Sequence, residues 1–349
     1  MKKILLFIAI VAGICSCKNF ETDFPNYDYT TVFFPYQFPV RTIIKGNYIY
    51  DNTNDNNNKF LISTTMGGVN DNISNRIVYF TLDEELCREA YFSNSEDDPI
   101  LPLPSEYYTL SNNEKFIIPP GSLSGSIEVQ LKDAFFNDTA AIKKRYVVPI
   151  RITGISNIDS LLQGSSTTNN ADPRVASNWS VIPRHFTMFG VKYINPFHGN
   201  FLYYGKASSK ENGVAVGDSI YQAQYVERNE TLFLETAGRT EIKISNIIYR
   251  SANISGAYSL KLKFASEDIN NGDIICTVEA GDESDEYTVS GSGRFVNRGE
   301  SFGGEKKDAI YLEYTVTKGK QSYSTNETFV FRDKAINLET YAPVIIPES

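Results

Sequence analysis

The chain has 349 residues, 42 acidic against 33 basic, for a formal charge of -9, and is 41% hydrophobic and 13% aromatic. That acidity disfavours phosphate backbones and anionic lipid faces, so nucleic acid is ruled out as a partner and any membrane contact must come from something other than surface charge. Two histidines and four cysteines without paired spacing give no basis for a zinc site or a disulfide framework.

The N-terminus supplies the membrane contact. Lys2 and Lys3 precede an apolar run from Ile4 to Ile14 that is too short to span a bilayer, and small Ser16 stands before Cys17. This layout predicts a bacterial lipoprotein signal over residues 1–16 with Cys17 as the lipid-attachment residue. Cys15 is the poorer nucleophile because branched Ile14 precedes it, and an ordinary signal peptide cleaved near Ser16 is the competing interpretation. At about 0.8 kcal/mol per buried methylene, two or three acyl chains on Cys17 hold a soluble protein to a membrane surface without spanning it. Residues 17–29 are expected to be a tether. No Asp follows Cys17 to signal inner-membrane retention, and Glu21 and Asp23 resemble the acidic tag of surface-exposed lipoproteins of gut Bacteroidota. The expected location is therefore the outer membrane, on the cell surface or on its periplasmic face.

From Thr31 onward the hydrophobic period is two. Strands are predicted at 31–34, 40–44, 60–64, 76–82, 107–110, 115–118, 126–131 and 145–153, separated by Asn, Asp and Gly clusters such as Asp51 to Asn58. Asp83 to Ala90 is predicted as a short helix, with acids in its first turn and Arg88 late. Seven or eight short strands suggest an immunoglobulin-like β-sandwich over 30–153. Residues 154–194 are expected to be a polar linker followed by an apolar closing strand. Residues 195–349 carry further alternating runs, among them Leu260, Leu262 and Phe264, and Ile310, Leu312, Tyr314 and Val316. They are enough to close an antiparallel, lipocalin or calycin-like β-barrel. The expected class is all-β.

Leu103-Pro104-Ser105-Glu106-Tyr107-Tyr108-Thr109-Leu110, Phe116-Ile117-Ile118-Pro119-Pro120-Gly121, Ile127-Glu128-Val129-Gln130-Leu131 and Tyr146-Val147-Val148-Pro149-Ile150-Arg151-Ile152 together resemble the family catalogued as domain of unknown function 1735. The segments His198 to Gly205, Gly293-Arg294-Phe295 and Gly303 to Asp308 resemble a companion C-terminal barrel-like family, also of unknown function. The resemblance implies an N-terminal sandwich of Bacteroidota surface lipoproteins that accompany outer-membrane glycan uptake systems. It supplies no catalytic or ligand residue.

The residues themselves carry no complete catalytic motif. Gly121-Ser122-Leu123-Ser124-Gly125 puts Leu123 where a hydrolase elbow needs its nucleophile, and Gly291-Ser292-Gly293 lacks a following helix to present amides to phosphate. Asp51 to Asp55 and Asp268 to Asp273 resemble fragments of a calcium loop without its closing Glu, so hairpin turns compete there with a calcium site. A glycosidase needs only two carboxylates, which 42 acidic residues always leave open. Aromatic residues beside amide and carboxylate side chains are the ingredients of a sugar platform. On that basis Trp179, Tyr203, Tyr221 and Tyr225 are the candidate glycan-binding residues, with core packing as the alternative for each. Tyr221, Ala223 and Tyr225 are taken to share one face of a strand, and Trp179 to lie near the domain junction. Asp138-Thr139-Ala140, Asp159-Ser160-Leu161 and Asp218-Ser219-Ile220 resemble O-glycosylation signals of exported Bacteroidota proteins. The function expected is glycan binding beside uptake proteins, without catalysis; an adhesin-like subunit and a glycoside hydrolase are the alternatives.

Overall fold

The computed structural model of the chain describes residues 27, 29–282 and 286–346. Cys17, the signal and most of the tether lie outside the described residues, as do Glu283, Ser284 and Asp285 of the acidic run at 282–286. The longer strands of the N-terminal domain are β1 (Thr31–Phe33), β2 (Pro39–Ile44), β3 (Lys59–Gly67), β4 (Arg76–Leu82), β5 (Tyr108–Leu110), β6 (Lys115–Ile118), β7 (Ser124–Leu131), β8 (Tyr146–Ser156) and β9 (Phe186–Ile194). They form two sheets. One runs Ser160–Leu161, β1, β3, β7, β5; the other runs Glu339–Thr340, β2, β9, β8, β4, β6. Alternation drives the packing: β3 turns Phe60, Ile62, Thr64 and Met66 inward while Leu61 faces out. The parallel pairings of β2 with β9, of β1 with Ser160–Leu161 and of β8 with Leu101–Pro102 interrupt an otherwise antiparallel pattern.

β8 departs from alternation because both its faces are covered. Val147, with Phe186 and Met188 of β9, points away from the sandwich core into a second apolar cluster with Leu86, Cys87, Ala90 and Ile100. Part of that cover is the chain's own C-terminal segment: Glu339–Thr340 pairs with β2, the Tyr341 hydroxyl donates to the Met188 carbonyl (2.7 Å), and Val344–Ile345 pairs with Ala90–Tyr91. The helix expected over 83–90 is a single 3-10 turn, Glu84–Cys87. Leu86 and Cys87 must both be buried under β8, and Glu89 turns left-handed (φ 55°) to start the strand at Ala90, so tertiary packing overrides the charge pattern.

Gly154 to Asn178, expected as a loop or linker, lies within the first domain, and the apolar run after it supplies that domain's strand β9. β8 runs on to Ser156, Asp159 accepts from the amide and hydroxyl of Thr30 (2.7 and 2.6 Å), and the chain returns as β9 beside β8. It is an excursion within the sandwich. The passage between domains is short: buried Asn195 donates to the carbonyls of Gly238 and Glu241 (3.0 and 2.8 Å), and Phe197 stacks on Phe264 with ring centroids 3.7 Å apart.

The second domain has β10 (Gly199–Glu211), β11 (Val214–Tyr221), β12 (Glu230–Thr236), β13 (Glu241–Ile248), β14 (Ala257–Phe264), β15 (Ile274–Ala280), β16 (Thr288–Phe302), β17 (Glu305–Lys318) and β18 (Gln321–Asp333). β18 pairs with β10 from Phe201↔Phe331 to Glu211↔Gln321 and closes an eight-stranded antiparallel barrel. Leu260, Leu262, Phe264, Ile310, Leu312, Tyr314 and Val316 all point into it. β11 is the exception to the ring. It pairs with the far half of β10, on the edge where β12 pairs with the near half, so the wall divides there. The glycines at 291 and 293 serve the barrel: a Cβ at Gly291 would collide with Tyr314, and one at Gly293 with Leu312.

Candidate functional site

Two regions gather aromatic and polar side chains, and the first lies in the barrel. Gly205 of β10 sits in register between Tyr221 of β11 and Glu327 of β18, and a Cβ there would meet the Tyr221 hydroxyl and Glu327 Cγ at 3.0 Å. Without that side chain the phenol reaches across the strand, and its hydroxyl donates to Glu327 Oε1 (2.7 Å). Tyr314 donates to Oε2 (2.7 Å), and Tyr258 lies 2.7 Å from the Tyr314 hydroxyl. Glu327 is 3% exposed and has no ion pair among the described residues. Burial outweighs the two phenol hydrogen bonds and pushes its carboxyl up to about 7.

A small pocket of about 160 Å³ lies beside this cage, lined by Tyr203, Tyr221, Arg228, Asn229, Glu230 and Arg250 where the wall divides. Arg250 pairs with Glu230, and its guanidinium stands 5.9 Å from the Tyr221 ring centre. The pocket is smaller than the range of about 300–1,000 Å³ usual for ligand sites.

The sequence candidates are placed as follows. Tyr203 is 3% exposed and packs between Tyr221 and Phe329, so its ring is core. Tyr221 is the last residue of β11, and its hydroxyl is committed to Glu327. The chain leaves the strand there, so Tyr225 does not share its face; Tyr225 is exposed and lies against Arg228. Trp179 is half-buried in the excursion of the sandwich, where its indole N–H donates to the Asp172 carbonyl (2.8 Å), a local pin away from the passage between the domains at Asn195. Only Tyr203 and Tyr221 come together, with ring centres 5.4 Å apart.

The second region lies between the domains. A cleft of about 830 Å³ has Asn47, Tyr48, Ile49 and Tyr50 of the sandwich on one side, and Arg298, Lys306 to Asp308 and Phe331 to Asn337 of the barrel on the other. The loop after β2 is built to hold the tyrosines out. Asn52 donates to the carbonyls of Ile44 and Gly46 (2.9 and 2.8 Å), Lys45 to those of Asp55 and Asn56 (3.3 and 2.8 Å), and Gly46 (φ 82°) packs where a Cβ would meet Pro196 at 2.8 Å. Asp55, in one of the calcium-like fragments, is 1% exposed and accepts from Arg41 and from the Ile44 amide, so its oxygens brace this loop. Tyr48 and Tyr50 stand edge-to-face at 5.5 Å, with Tyr50 69% exposed and Ile49 79%.

The charges facing the cleft are uneven. Asp308 accepts from the Arg298 amide (3.0 Å) and from Asn47 (3.1 Å), and Asp333 from Asn200 and the Ala335 amide (both 2.9 Å). Lys334 is 4% exposed, donates to the Pro196 carbonyl (2.6 Å), and lies 5.3 Å from the Phe331 ring centre. Burial pushes its ammonium down to about 7 against the modest pull of Asp308. A third concavity, on the barrel's outer face by Tyr204 and Tyr311, offers a poorer platform: Arg294 covers the Tyr311 ring at 5.5 Å, and the Tyr311 hydroxyl donates to Glu300 (2.9 Å). His198 offers no ready ligand: its Nδ1 accepts from the Thr236 amide (3.1 Å), and burial pushes the ring down to about 3.

A solved structure of a Bacteroides ovatus protein of unknown function is 35% identical to this chain, covering 92% of it and 100% of that protein, with a TM-score of 0.83. The chain belongs to that protein's family. Residues 196–335, the span of the barrel, match the family described as Domain of unknown function (DUF5627), and residues 26–159 match a family of N-terminal domains. An auxiliary nutrient binding protein of Bacteroides thetaiotaomicron is 12% identical over 84% of this chain and 90% of its own, with a TM-score of 0.38. No curated protein matches the chain.

The sequence reading missed Tyr48, Tyr50, Phe331 and Lys334. One signal was present. Tyr48-Ile49-Tyr50 puts three large apolar residues between the turn residues Gly46-Asn47 and Asp51-Asn52, where no strand can bury them.

Proposed function

We propose that this protein is a non-catalytic saccharide-binding accessory, tethered to the outer membrane through Cys17, and that it binds in the cleft between its domains. The observation that carries this reading is the cleft itself. It has the volume of a ligand site, lies at a domain interface, and pairs the exposed Tyr50 ring with amide, carboxylate and cationic side chains. An aromatic face suits the apolar C–H side of a sugar ring, and the polar side chains suit its hydroxyls. The lipobox, the acidic composition and kinship with a Bacteroides protein support a surface location beside glycan uptake proteins. The test uses the chain from Lys18 to Ser349 on a panel of plant, host and microbial polysaccharides, following retardation and released reducing ends together. Retardation without release is expected, and its loss in Tyr50→Ala places the site; release of reducing ends identifies a glycoside hydrolase instead.

A second reading, an adhesin-like subunit, draws on β11. Val214, Val216 and Ile220 are 69, 43 and 80% exposed on a strand paired on one edge only, which is the geometry that accepts an added strand. Concentration-dependent assembly with no saccharide retardation is its signature.

A further inference from the structure

The cleft's charge runs against that of the chain. Five cationic side chains, Arg298, Lys306, Lys307, Arg332 and Lys334, face it with two carboxylates, Asp308 and Asp333, in a protein whose formal charge is -9. Lys307 is neutralised by Glu305 (2.5 Å), and Arg332 stands 3.6 Å from Asp333. Among the described residues no ion pair joins Arg298, Lys306 or Lys334 to a carboxylate. Asp308 and Asp333, each hydrogen-bonded to a backbone amide and an asparagine, offset part of this charge, and with Glu305 they still leave the cations in excess.

Lys334 is the decisive group. A lysine ammonium carries three donors, and the one acceptor recorded for this one is the Pro196 carbonyl. Burying a cation without a carboxylate costs free energy, so a lysine held this way at the edge of a ligand-sized cleft is one whose charged form an incoming anion stabilises. Arg298 and Lys306 are both exposed, on the barrel side of the cleft. Beyond about 8–10 Å, salt screens the chain's remaining negative charge, so the local excess decides what enters.

We infer that the cleft selects saccharides bearing an anionic group, a uronate carboxylate or a sulfate, which docks on Lys334, Arg298 and Lys306 while the sugar ring lies against Tyr50. This deepens the reading of the cleft as the saccharide site and rests on it. A guanidinium matches either oxyanion through paired N–H donors, and Lys334 adds a desolvated point charge.

The test is titration calorimetry of the Lys18–Ser349 chain with oligogalacturonate, its neutral methyl-esterified counterpart, a chondroitin sulfate oligosaccharide and neutral dextran oligomers. The expected result is binding of the oligogalacturonate or the sulfated oligomer that is at least about tenfold tighter than of either neutral oligomer, about 1.4 kcal/mol. Which of the two anions binds identifies the group. Arg298→Asn, which keeps a residue suited to the positive φ at that position, and exposed Lys306→Gln are expected to weaken acidic ligands only, and Lys334→Met to weaken them most. Because protonated Lys334 is the binding form, complex formation at pH 8 takes up a proton, seen as a heat that changes with the buffer's ionisation enthalpy; Lys334→Met loses that dependence. Equal binding of neutral and acidic oligomers, abolished by Tyr50→Ala, overturns the inference and leaves the site standing. Acidic ligands that bind unchanged to the Arg298 and Lys306 variants also overturn it. Absence of all saccharide binding overturns both.

Discussion

The barrel interior and the interdomain cleft are built from the same materials, aromatic rings and a buried ionisable group, and they use them in opposite ways. In the barrel the carboxyl of Glu327 is closed off by two phenols that donate to it, and the rings of Tyr203, Tyr258, Tyr314 and Tyr323 pack as core. In the cleft the ammonium of Lys334 keeps donors to spare, and the nearby rings of Tyr48 and Tyr50 are held outward by a loop braced from behind. Aromatic content therefore does not mark a binding surface. What separates the two regions is whether the buried ionisable group beside the rings is closed off by side chains of the protein, as Glu327 is, or lines an open cleft, as Lys334 does.

The largest expected effect tests the claim that the barrel cage is structural. Gly205→Val places a side chain against the Asn326 carbonyl and into the space between Tyr221 and Glu327, and is expected to cost about 4 kcal/mol, read from the urea midpoint. A loss under about 1 kcal/mol would show that the cage yields and is not the packed unit described. The next effect is a pH dependence. Glu327 titrates higher in the folded chain than in the unfolded one, so the unfolded chain binds fewer protons between about pH 4.5 and about 7, and stability falls as pH rises through that window, by about 3 kcal/mol. Glu327→Gln is expected to flatten that fall. Lys334 has the opposite sign: its folded value lies below its unfolded one, so stability rises from about pH 7 to about 10.5, and Lys334→Met removes the rise. Denaturant titrations across pH separate the two windows and so separate the two regions.

Smaller effects sharpen the contrast. Tyr50→Ala is expected to reduce saccharide affinity about tenfold while moving stability by less than about 0.5 kcal/mol, because the ring is exposed. Tyr203→Phe is expected to leave affinity unchanged. Cys87 and Cys276 are both buried, and burial pushes each thiol up to about 12, so neither should react with a thiol reagent until the chain is denatured.

Much of the fold was legible because period-two burial is a local signal. The runs at β4 and β6 were predicted to the residue, and the barrel runs of Leu260 to Phe264 and Ile310 to Val316 face inward. Failures came where distant chain decides local form. The turn at Glu84–Cys87 answers to β8 and to the C-terminal segment, and the excursion after Ser156 is claimed by β1 through Ser160. The candidate site was less legible for the same reason. Tyr203 and Tyr221 announce themselves by strand position, yet position cannot tell a ring that faces a carboxyl in a core from one that faces solvent. Tyr50 and Lys334 are far apart in sequence, and the short passage at Asn195 to His198 together with the pairing of Glu339–Thr340 with β2 brings them to one cleft.

The most direct test of the interdomain cleft as the binding site is the affinity of the Lys18–Ser349 chain and its Tyr50→Ala variant for one retained saccharide, measured side by side with their melting temperatures. The account predicts a loss of about tenfold or more with an unchanged melt. Unchanged affinity in Tyr50→Ala, or a loss produced by Tyr225→Ala in its place, would contradict it.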